Sequence, residues 1–271
     1  MRITDARTGR STEIRQRRSG LLRVRTRVGR PGSPFALSDL RALLVTDLLQ
    51  RTSELRGPQV ITSLGHPSAA PPEVKLLRQD ADLLGIRPQT DDGDGPADLE
   101  VRSDQAVAAA AAPAPAPAGP SGPADPPPLV DVARATAAFL PEGSAPSGPL
   151  AGLTPDGLEP LAVRLALLGT QHHLPVELTA DVLAGAQATL DRWRRLVAEC
   201  ARTPSRPPIA DAVQDAFDGF ADDLDAAPAL RLLDGLAART DLPPGAVFET
   251  FVRVDQVLAL ELSRDVGRSS R

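Results

Sequence analysis

The sequence contains almost no cysteine and almost no lysine. Cysteine occurs once in 271 residues, at Cys200, and lysine occurs once, at Lys75. A single cysteine excludes a disulfide framework and a cysteine-based zinc site within one chain. We therefore expect Cys200 to be a small apolar residue at the end of a helix. Arginine, alanine and proline are abundant instead, a bias that is typical of GC-rich coding sequence and is not by itself a physical argument.

Long apolar runs are also absent. No stretch reaches the roughly 18 to 20 uninterrupted apolar residues that a membrane-spanning helix needs. The arginine-rich N-terminal segment lacks the apolar core of a signal peptide. We therefore expect a cytoplasmic protein with no membrane partner.

The acidic net charge hides a basic N-terminal segment. The net charge is -5, yet residues 1–56 hold thirteen arginines and five acidic residues. Such a segment attracts phosphate or RNA through counterion release, and the candidate contacts are Arg23, Arg25, Arg27 and Arg41. Alternatively, these arginines lie on solvated strand faces or pair with acidic residues. No aromatic residues interleave with them to stack bases, which favours the alternative.

Strand and helix patterns alternate in the N-terminal part of the chain. Apolar and arginine side chains alternate along residues 21–28, as in a half-buried strand, and leucines then recur at helical spacing. The predicted order is a hairpin at 2–14, a strand at 21–28, a helix from Ser38 or Asp39 to Gly57, a strand at 59–64 and a helix at 71–84. This order indicates a parallel α/β unit with right-handed crossovers.

The composition then changes to alanine, proline, glycine and aspartate over residues 88–156, with an Ala-Pro repeat at 113–117. Such a segment buries too little apolar surface to offset the entropy of ordering it, so we predict a largely disordered linker or insertion. Two islands interrupt it. Residues 97–103 are predicted to add a strand to the sheet, and Leu129–Leu140 are predicted to form a short helix.

Helical patterns fill residues 157–266. Prolines separate the segments, and Pro243 and Pro244 open the last one, as proline does in first turns. The predicted helices are 157–169, 179–202, 207–223, 226–239 and 244–265. Their apolar stripes predict a helical bundle.

Four tracts carry a resemblance to a known family. They are FALSDLRALLVTDLLQR at 35–51, LAVRLALL at 161–168, LDRWR at 190–194 and DDLDAAPAL at 222–230. They resemble parts of the class I cysteinyl-tRNA synthetase family and its close relative, the cysteine ligase of mycothiol synthesis in actinobacteria. The first is similar to the helix that carries the family's first ATP-binding signature, and the others are similar to the helices that follow the nucleotide-binding domain.

The resemblance implies a fold that agrees with the pattern above. We expect an α/β plus all-α protein, in which a truncated Rossmann-like parallel sheet domain at 1–87 is followed by a helical bundle at 157–266. The Ala/Pro-rich segment at 88–156 joins them, with the extra strand at 97–103.

The residues that would perform the chemistry implied by the resemblance are replaced in this sequence. The family activates cysteine with ATP and holds the substrate thiolate on zinc. Arg25 stands where the family has a zinc-binding cysteine, and a guanidinium cannot ligate zinc. Ala36, Leu37, Ser38 and Asp39 replace the family's His-Ile-Gly-His signature, and Asp39 adds a negative charge near the expected phosphate position.

The family's second ATP signature, a lysine-containing mobile loop, is also missing. The segment that should hold it, before residues 161–168, contains no lysine. We therefore expect no catalytic residue, no ATP or zinc cofactor and no metal site.

The three histidines are weak ligand candidates. His66 follows the second strand, where we expect a loop. His172 and His173 are adjacent between two predicted helices, and adjacent side chains on a regular element diverge, so we favour a loop or capping role for both. Asp222 and Asp223 are predicted to lie on a helix and to face solvent or cap a neighbouring helix.

Three hypotheses for function remain open at this point. The first is a catalytically inactive relative that binds or regulates a protein partner or a metabolite. The second is an active ligase that forms an aminoacyl adenylate in a rearranged site, with arginines on the phosphates. The third is an RNA-binding module without catalysis, which predicts salt-dependent binding through Arg23, Arg25 and Arg27.

Overall fold

The N-terminal hairpin is present as β1 (Arg2–Asp5) and β2 (Arg10–Glu13), which pair antiparallel. The computed structural model describes residues 1–14, 16, 20–66, 70–91, 96–107, 126–138, 148–154 and 157–268. The Ala-Pro repeat at 113–117 lies outside these residues. The hairpin packs beside the main sheet, where Ala6 N donates to Leu129 O at 2.8 Å.

A five-stranded parallel sheet confirms the predicted α/β architecture. Its strands are β3 (Leu21–Arg27), β4 (Gln59–Gly65), β5 (Thr90–Asp91), β6 (Leu99–Ser103) and β7 (Leu129–Val132). The spatial order is β5-β4-β3-β6-β7, and every neighbouring pair is parallel. The connecting helices are α1 (Leu37–Glu54), α2 (Pro71–Leu83) and the single turn α3 (Asp104–Val107).

The direction of the strand order reverses at β3. The chain moves outward from β3 to β4 and β5 and then returns to place β6 and β7 on the other side of β3. The gap between the carboxyl ends of β3 and β6 is therefore the topological switch point, the place where open α/β sheets bind ligands. We call it the switch-point crevice.

Helix α1 lies at the centre of the molecule. Leu22, Val24 and Thr26 of β3 are buried beneath it, and Thr26 Oγ1 lies 2.8 Å from Thr46 Oγ1 of the helix. On its other sides α1 contacts α2, α6 and α8 as well as the sheet. This explains why even its polar residue Asp47 is buried.

The predicted helix at Leu129–Leu140 is wrong. The structure forms β7 at its start, followed by β8 (Ala135–Ala137), which pairs parallel with β9 (Val176–Leu178). Leu129, Val130 and Val132 are buried against the sheet, so pairing with β6 outweighs a weak local helical pattern. The predicted extra strand at 97–103 is confirmed as β6.

Five helices follow. They are α4 (Pro160–Leu168), α5 (Ala180–Cys200), α6 (Ala210–Ala221), α7 (Ala227–Ala237) and α8 (Pro244–Leu258). Trp193 packs edge-on against Phe251, with ring centroids 6.2 Å apart. Cys200 is the buried last residue of α5, as predicted.

The last helix is shorter than predicted and ends at Leu258. Ala259 adopts a left-handed conformation with φ 51°, and the Asp255 carboxylate accepts hydrogen bonds from Leu260 N at 2.7 Å and Leu262 N at 2.9 Å. This side-chain cap turns the backbone out of the helix.

Sheet and helices share one hydrophobic core. A continuous cluster of buried side chains runs from Ile3 through β3 and α1 to α5 and α8. Within the described residues, no helix is both long and apolar enough to cross a membrane.

Candidate functional site

The switch-point crevice is filled by a carboxylate of the chain itself. Asp39 Oδ1 accepts hydrogen bonds from Gly29 N at 2.7 Å, just after β3, and from Ser103 Oγ at 2.6 Å, at the end of β6. Asp39 Oδ2 accepts from Ala36 N at 2.8 Å. The side chain is fully buried. Asp39 therefore joins both sides of the crevice to the first turn of α1.

Asp39 uses the groups that would otherwise receive an anion. Backbone N–H groups at a helix N-terminus and after a strand are the usual donors for a phosphate, and here Gly29 and Ala36 donate to the carboxylate instead. Burial raises the pKa of Asp39, the hydrogen bonds from Ala36, Ser103 and Gly29 oppose this rise, and the nearby Asp104 charge adds to it. These N–H donors are already bonded to Asp39, so an added anion would lack donors and would be repelled by the Asp39 and Asp104 carboxylates.

The other residues at the lost signature also have structural roles. Ala36 is the extended N-cap residue of α1, and Leu37 is buried. Ser38 Oγ accepts from Ala135 N at 3.0 Å and lies 3.3 Å from Ala135 O. These contacts attach the start of α1 to β8 and close the crevice from that side.

Arg41 was expected as a candidate phosphate or RNA contact. In the structure it is buried, and its guanidinium binds backbone carbonyls; we call this arrangement the Arg41 clamp. Its Nη1 donates to Ala133 O at 3.0 Å and to Leu174 O at 2.7 Å. Its Nη2 donates to Thr170 O at 3.1 Å and to Gln171 O at 2.9 Å. Burial lowers the pKa of Arg41 to about 10, so the side chain remains a cation at neutral pH. Only 1% of the residue is exposed, so a phosphate cannot reach it.

The other three candidate arginines share the outer face of β3, opposite α1. Arg23 and Arg25 are half-buried and Arg27 is exposed. Arg25 lies in register between Ser63 and Glu100, and Arg27 Nε pairs with Glu100 Oε1 at 2.8 Å. The alternative weighed from the sequence, pairing with acidic residues on a strand face, is present for Arg27.

His66 lines an open cavity of about 520 Å³ beside α2. Lys75, Arg78 and Asp91 also line it, and the ring of His66 lies edge-on to Phe35 with centroids 6.4 Å apart. Arg78 Nη2 and Asp91 Oδ1 form a 2.5 Å ion pair at the cavity. The cavity lining mixes both signs of charge, with Lys75 and Arg78 beside Asp82 and Asp91.

His172 and His173 converge on Asp223, a residue whose role the sequence did not predict. Helix α6 ends at Ala221, so Asp223 lies in a turn and not on a helix, with φ 58°. His172 Nε2 lies 4.0 Å from Asp223 Oδ1, and His173 Nδ1 lies 3.9 Å from Asp223 Oδ2. We call these three residues the His-His-Asp cluster.

The cluster combines a buried and an accessible imidazole. His172 is buried, whereas the side chain of His173 is 49% exposed. Burial lowers the pKa of His172, the Asp223 charge opposes this, and the neighbouring His173 and Arg41 lower it further. His172 is therefore neutral at neutral pH. In the described part of the chain, its Nδ1 has no hydrogen-bond partner.

Comparison with known proteins points to one family. Three relatives bear the name L-cysteine:1D-myo-inositol 2-amino-2-deoxy-alpha-D-glucopyranoside ligase. The protein of Geodermatophilus obscurus is 40% identical over 85 residues, which is 31% of this chain and 19% of that protein. Those of Cellulomonas flavigena and Parafrankia sp. are 38% and 36% identical over 118 and 126 residues, which are 41% and 42% of this chain and 27% of each relative.

Part of this chain is homologous to these cysteine ligases. The resemblance seen in the sequence is thereby confirmed. No protein-family model matches the chain. The matched segments span 19% to 27% of the length of these curated relatives.

Arg25 and Asp39 occupy the two positions at which the resemblance implies zinc and ATP chemistry. Arg25, which the resemblance places at the family's zinc-binding cysteine, lies on the outer sheet face, in register between Ser63 and Glu100 of the neighbouring strands. Its side chain offers no lone pair for a metal. At the position of the first ATP signature, the buried Asp39 carboxylate takes the donors that a phosphate would need.

Ser103 was not singled out from the sequence, and Asp223 was named there only as a solvent-facing or capping residue of a helix. Ser103 is one serine at the end of a short strand, and only the strand order brings it next to β3. For Asp223, the DDLDAAPAL tract held a signal, because consecutive acids before a proline-containing helix start are typical of a turn. Its 50-residue separation from the histidines hid the contact.

Proposed function

We propose that this chain is a cysteine ligase-like protein that does not activate an amino acid with ATP and that keeps the fold for a binding or regulatory role. The observation that carries the proposal is the buried Asp39 carboxylate in the switch-point crevice. It is supported by Arg25 and by the lysine-free segment before α4.

The energetics favour loss of catalysis over weakened catalysis. Each preorganised donor to a transition-state charge is worth on the order of 3 kcal/mol. In this crevice the donors at Gly29, Ala36 and Ser103 already serve Asp39, and the signature histidines are replaced. Losing several such contacts together removes most of an enzyme's rate advantage.

Pyrophosphate exchange tests the proposal directly. The purified chain, freed of its purification tag, is incubated with ATP, labelled pyrophosphate and each amino acid in turn, cysteine first, with and without Zn²⁺. We expect exchange at the level of a no-enzyme control for every amino acid. Robust exchange with any of them would overturn the proposal and favour the rearranged ligase.

The Asp39→Asn variant tests whether the charge of Asp39 alone prevents ATP from binding in the switch-point crevice, or whether the crevice cannot hold ATP at all. The amide keeps the shape of the carboxylate and removes its charge, but its Nδ2 replaces one acceptor oxygen, so either Gly29 N or Ala36 N loses its acceptor. If occlusion is structural, as we propose, ATP gives no thermal stabilisation of either form. Stabilisation of the unsubstituted chain by ATP would contradict the proposal, because a ligand that binds only the native state raises its stability.

RNA binding is a second candidate function, favoured by the three arginines on one sheet face. Arg23, Arg25 and Arg27 lie at alternate positions of β3, so their side chains share the face opposite α1. If they bind a phosphate backbone, tRNA affinity should fall steeply with salt, and the triple glutamine variant should lose most of it. Undetectable or salt-insensitive binding would eliminate this candidate.

A further inference from the structure

The His-His-Asp cluster has the donor set of a metal site. One ligand atom from each of His172, His173 and Asp223 lies within 4.8 Å of the others. Two imidazole nitrogens and one carboxylate oxygen suit borderline transition ions such as Zn²⁺, Co²⁺ and Ni²⁺, whereas Mg²⁺ prefers oxygen ligands alone. Among the described residues, this is the one group of three such side chains found close enough together.

The backbone around the two histidines is fixed before any ion binds. Arg41 holds the carbonyls of Thr170 and Gln171 on one side of the pair and that of Leu174 on the other. The carbonyl of His172 itself accepts from Ala133 N at 2.8 Å. Because these residues form a turn and not a regular helix or strand, both adjacent rings can face Asp223, with their planes at 85°.

Asp223 is fixed from the other side. Its Oδ1 accepts from Thr4 N at 2.7 Å, and its N–H donates to Arg2 O at 3.0 Å. Asp223 and Leu224 both have left-handed backbone conformations, with φ 58° and 59°. Such conformations cost energy in residues other than glycine and persist where the surroundings impose them. Here they direct the carboxylate to the histidines.

The geometry requires a small closure. With metal–ligand bonds of about 2.0 to 2.2 Å, ligand atoms on a tetrahedral ion lie about 3.3 to 3.5 Å apart. Here one ligand atom from each residue lies within 4.8 Å of the others, and the 4.0 and 3.9 Å contacts run from His172 to Asp223 Oδ1 and from His173 to Asp223 Oδ2. The exposed His173 side chain can move toward Asp223, and the His172–Asp223 distance shortens only if one of those two side chains also rotates.

We propose that His172, His173 and Asp223 bind a divalent transition-metal ion of the Zn²⁺ class, which ties the loop between α4 and β9 to the turn between α6 and α7. Three protein ligands leave at least one position for water. The proposal does not depend on the proposed function, and the site is separate from Arg25, where the family's zinc cysteine would stand.

Metal titration tests it. The tag-free chain is stripped with a chelator, exchanged into metal-free buffer and titrated with Zn²⁺ in competition with a chromophoric chelator. We expect one equivalent bound. His173→Gln and Asp223→Asn should each weaken binding by at least about tenfold, since loss of even an outer-shell partner typically has that effect. Asparagine tolerates the left-handed backbone at position 223, so this variant is expected to fold.

His66→Gln is the matched control, because it removes the remaining histidine of the chain and leaves the cluster intact. It should bind Zn²⁺ as the unsubstituted chain does. No stoichiometric binding by the unsubstituted chain, or binding that persists in His173→Gln and Asp223→Asn, would overturn the proposal. In a parallel thermal-shift series Zn²⁺ should stabilise the unsubstituted chain and Mg²⁺ should not.

Discussion

The buried Arg164 connects a helix of the C-terminal part of the chain to helices of the N-terminal part. Arg164 of α4 is fully buried, and its Nη2 pairs with Asp47 Oδ2 of α1 at 2.7 Å. It also donates to Leu258 O at 2.6 Å and to Leu84 O at 3.0 Å. Burial alone would raise the pKa of Asp47, but the charges of Arg164 and Arg51 hold it below its ordinary value. The Asp47 carboxylate is therefore stabilised in its ionised form by the arginines it contacts.

Arg164→Met should strongly destabilise the fold. It leaves the Asp47 carboxylate and two carbonyls buried without their cation, and breaking a buried pair in this way costs about 3 to 5 kcal/mol. Urea unfolding gives the loss in the free energy of unfolding. Arg192→Met is the control, because its 2.5 Å pair with Asp234 is half exposed and should contribute less than about 1 kcal/mol. Equal losses in the two variants would contradict the assignment.

Glu159 gives the fold an acid-sensitive contact. It accepts hydrogen bonds from Arg264 at 2.7 and 2.8 Å and from Arg194 at 2.8 Å. Hydrogen bonding to Arg264 is the largest cause that lowers the pKa of Glu159 to about 2. A lowered pKa means that the stabilisation is complete above the ordinary value of 4.5 and is lost as the pH falls toward 2.

Glu159→Gln should therefore lower the free energy of unfolding at neutral pH and have little effect on it in strong acid. The variant cannot ionise, so the difference in free energy of unfolding between it and the unsubstituted chain should shrink between about pH 4.5 and about pH 2. Urea unfolding of both proteins at a series of pH values measures this difference. The contributions of the other carboxylates are the same in both proteins and therefore cancel. A difference that stays constant across that range would show that Glu159 does not have the lowered pKa.

At the scale of elements, the end of α8 stores backbone strain. Ala259 is left-handed at φ 51°, ψ 52°, where a Cβ crowds the backbone. Ala259→Gly should relieve this strain and stabilise the fold by up to about 1 kcal/mol, or about 2 to 4 °C in Tm for a chain of this size. Differential scanning fluorimetry measures the shift.

Ala238→Gly is the matched control for that prediction. Ala238 is also a C-cap residue, at the end of α7, but it is right-handed with φ -85° and ψ -10°. Glycine there gains no relief and adds unfolded-state entropy, so Tm should fall. A decrease in Tm at both positions would contradict the strain interpretation.

Helices and strands were predictable where the local sequence has a clear hydrophobic period. They were missed where hydrogen bonding to a distant strand or side chain determines the structure. The alternation in β3 and the leucine spacing of α1 predicted both elements to within a few residues. Residues 129–137 carry no such period, and β7 exists because β6 offers it a parallel partner. The end of α8 depends on the Asp255 side chain, which a periodicity argument does not contain.

At the start of α1 the sequence shows which residues are present but not which groups they contact. Replacement of the signature by residues 36–39 was visible in the sequence. That Asp39 would bridge Gly29 and Ser103 depends on the order of strands across the sheet, and Arg41 would have appeared an equally good phosphate contact without knowledge of its burial. Charge in a sequence does not specify whether its partner is a ligand or a backbone carbonyl.

The whole molecule should unfold as one unit. The core is continuous from β3 to α8, and Arg164 joins α1 to α4 and α8. Trp193, the single tryptophan, lies in α5, so its fluorescence follows the helices while far-UV circular dichroism follows sheet and helices together. The two urea transitions should coincide. A fluorescence transition separated from the circular dichroism transition would instead favour independent domains.

The Arg41 clamp also bears on how the arginine-rich composition is understood. Substitution matrices treat arginine and lysine as near equivalents, and on a solvated surface they are. At position 41 one planar guanidinium serves four carbonyls, whereas an ammonium group has three donors in a tetrahedral arrangement. We therefore expect a homologue that carries lysine there to have changed the loop that those carbonyls close.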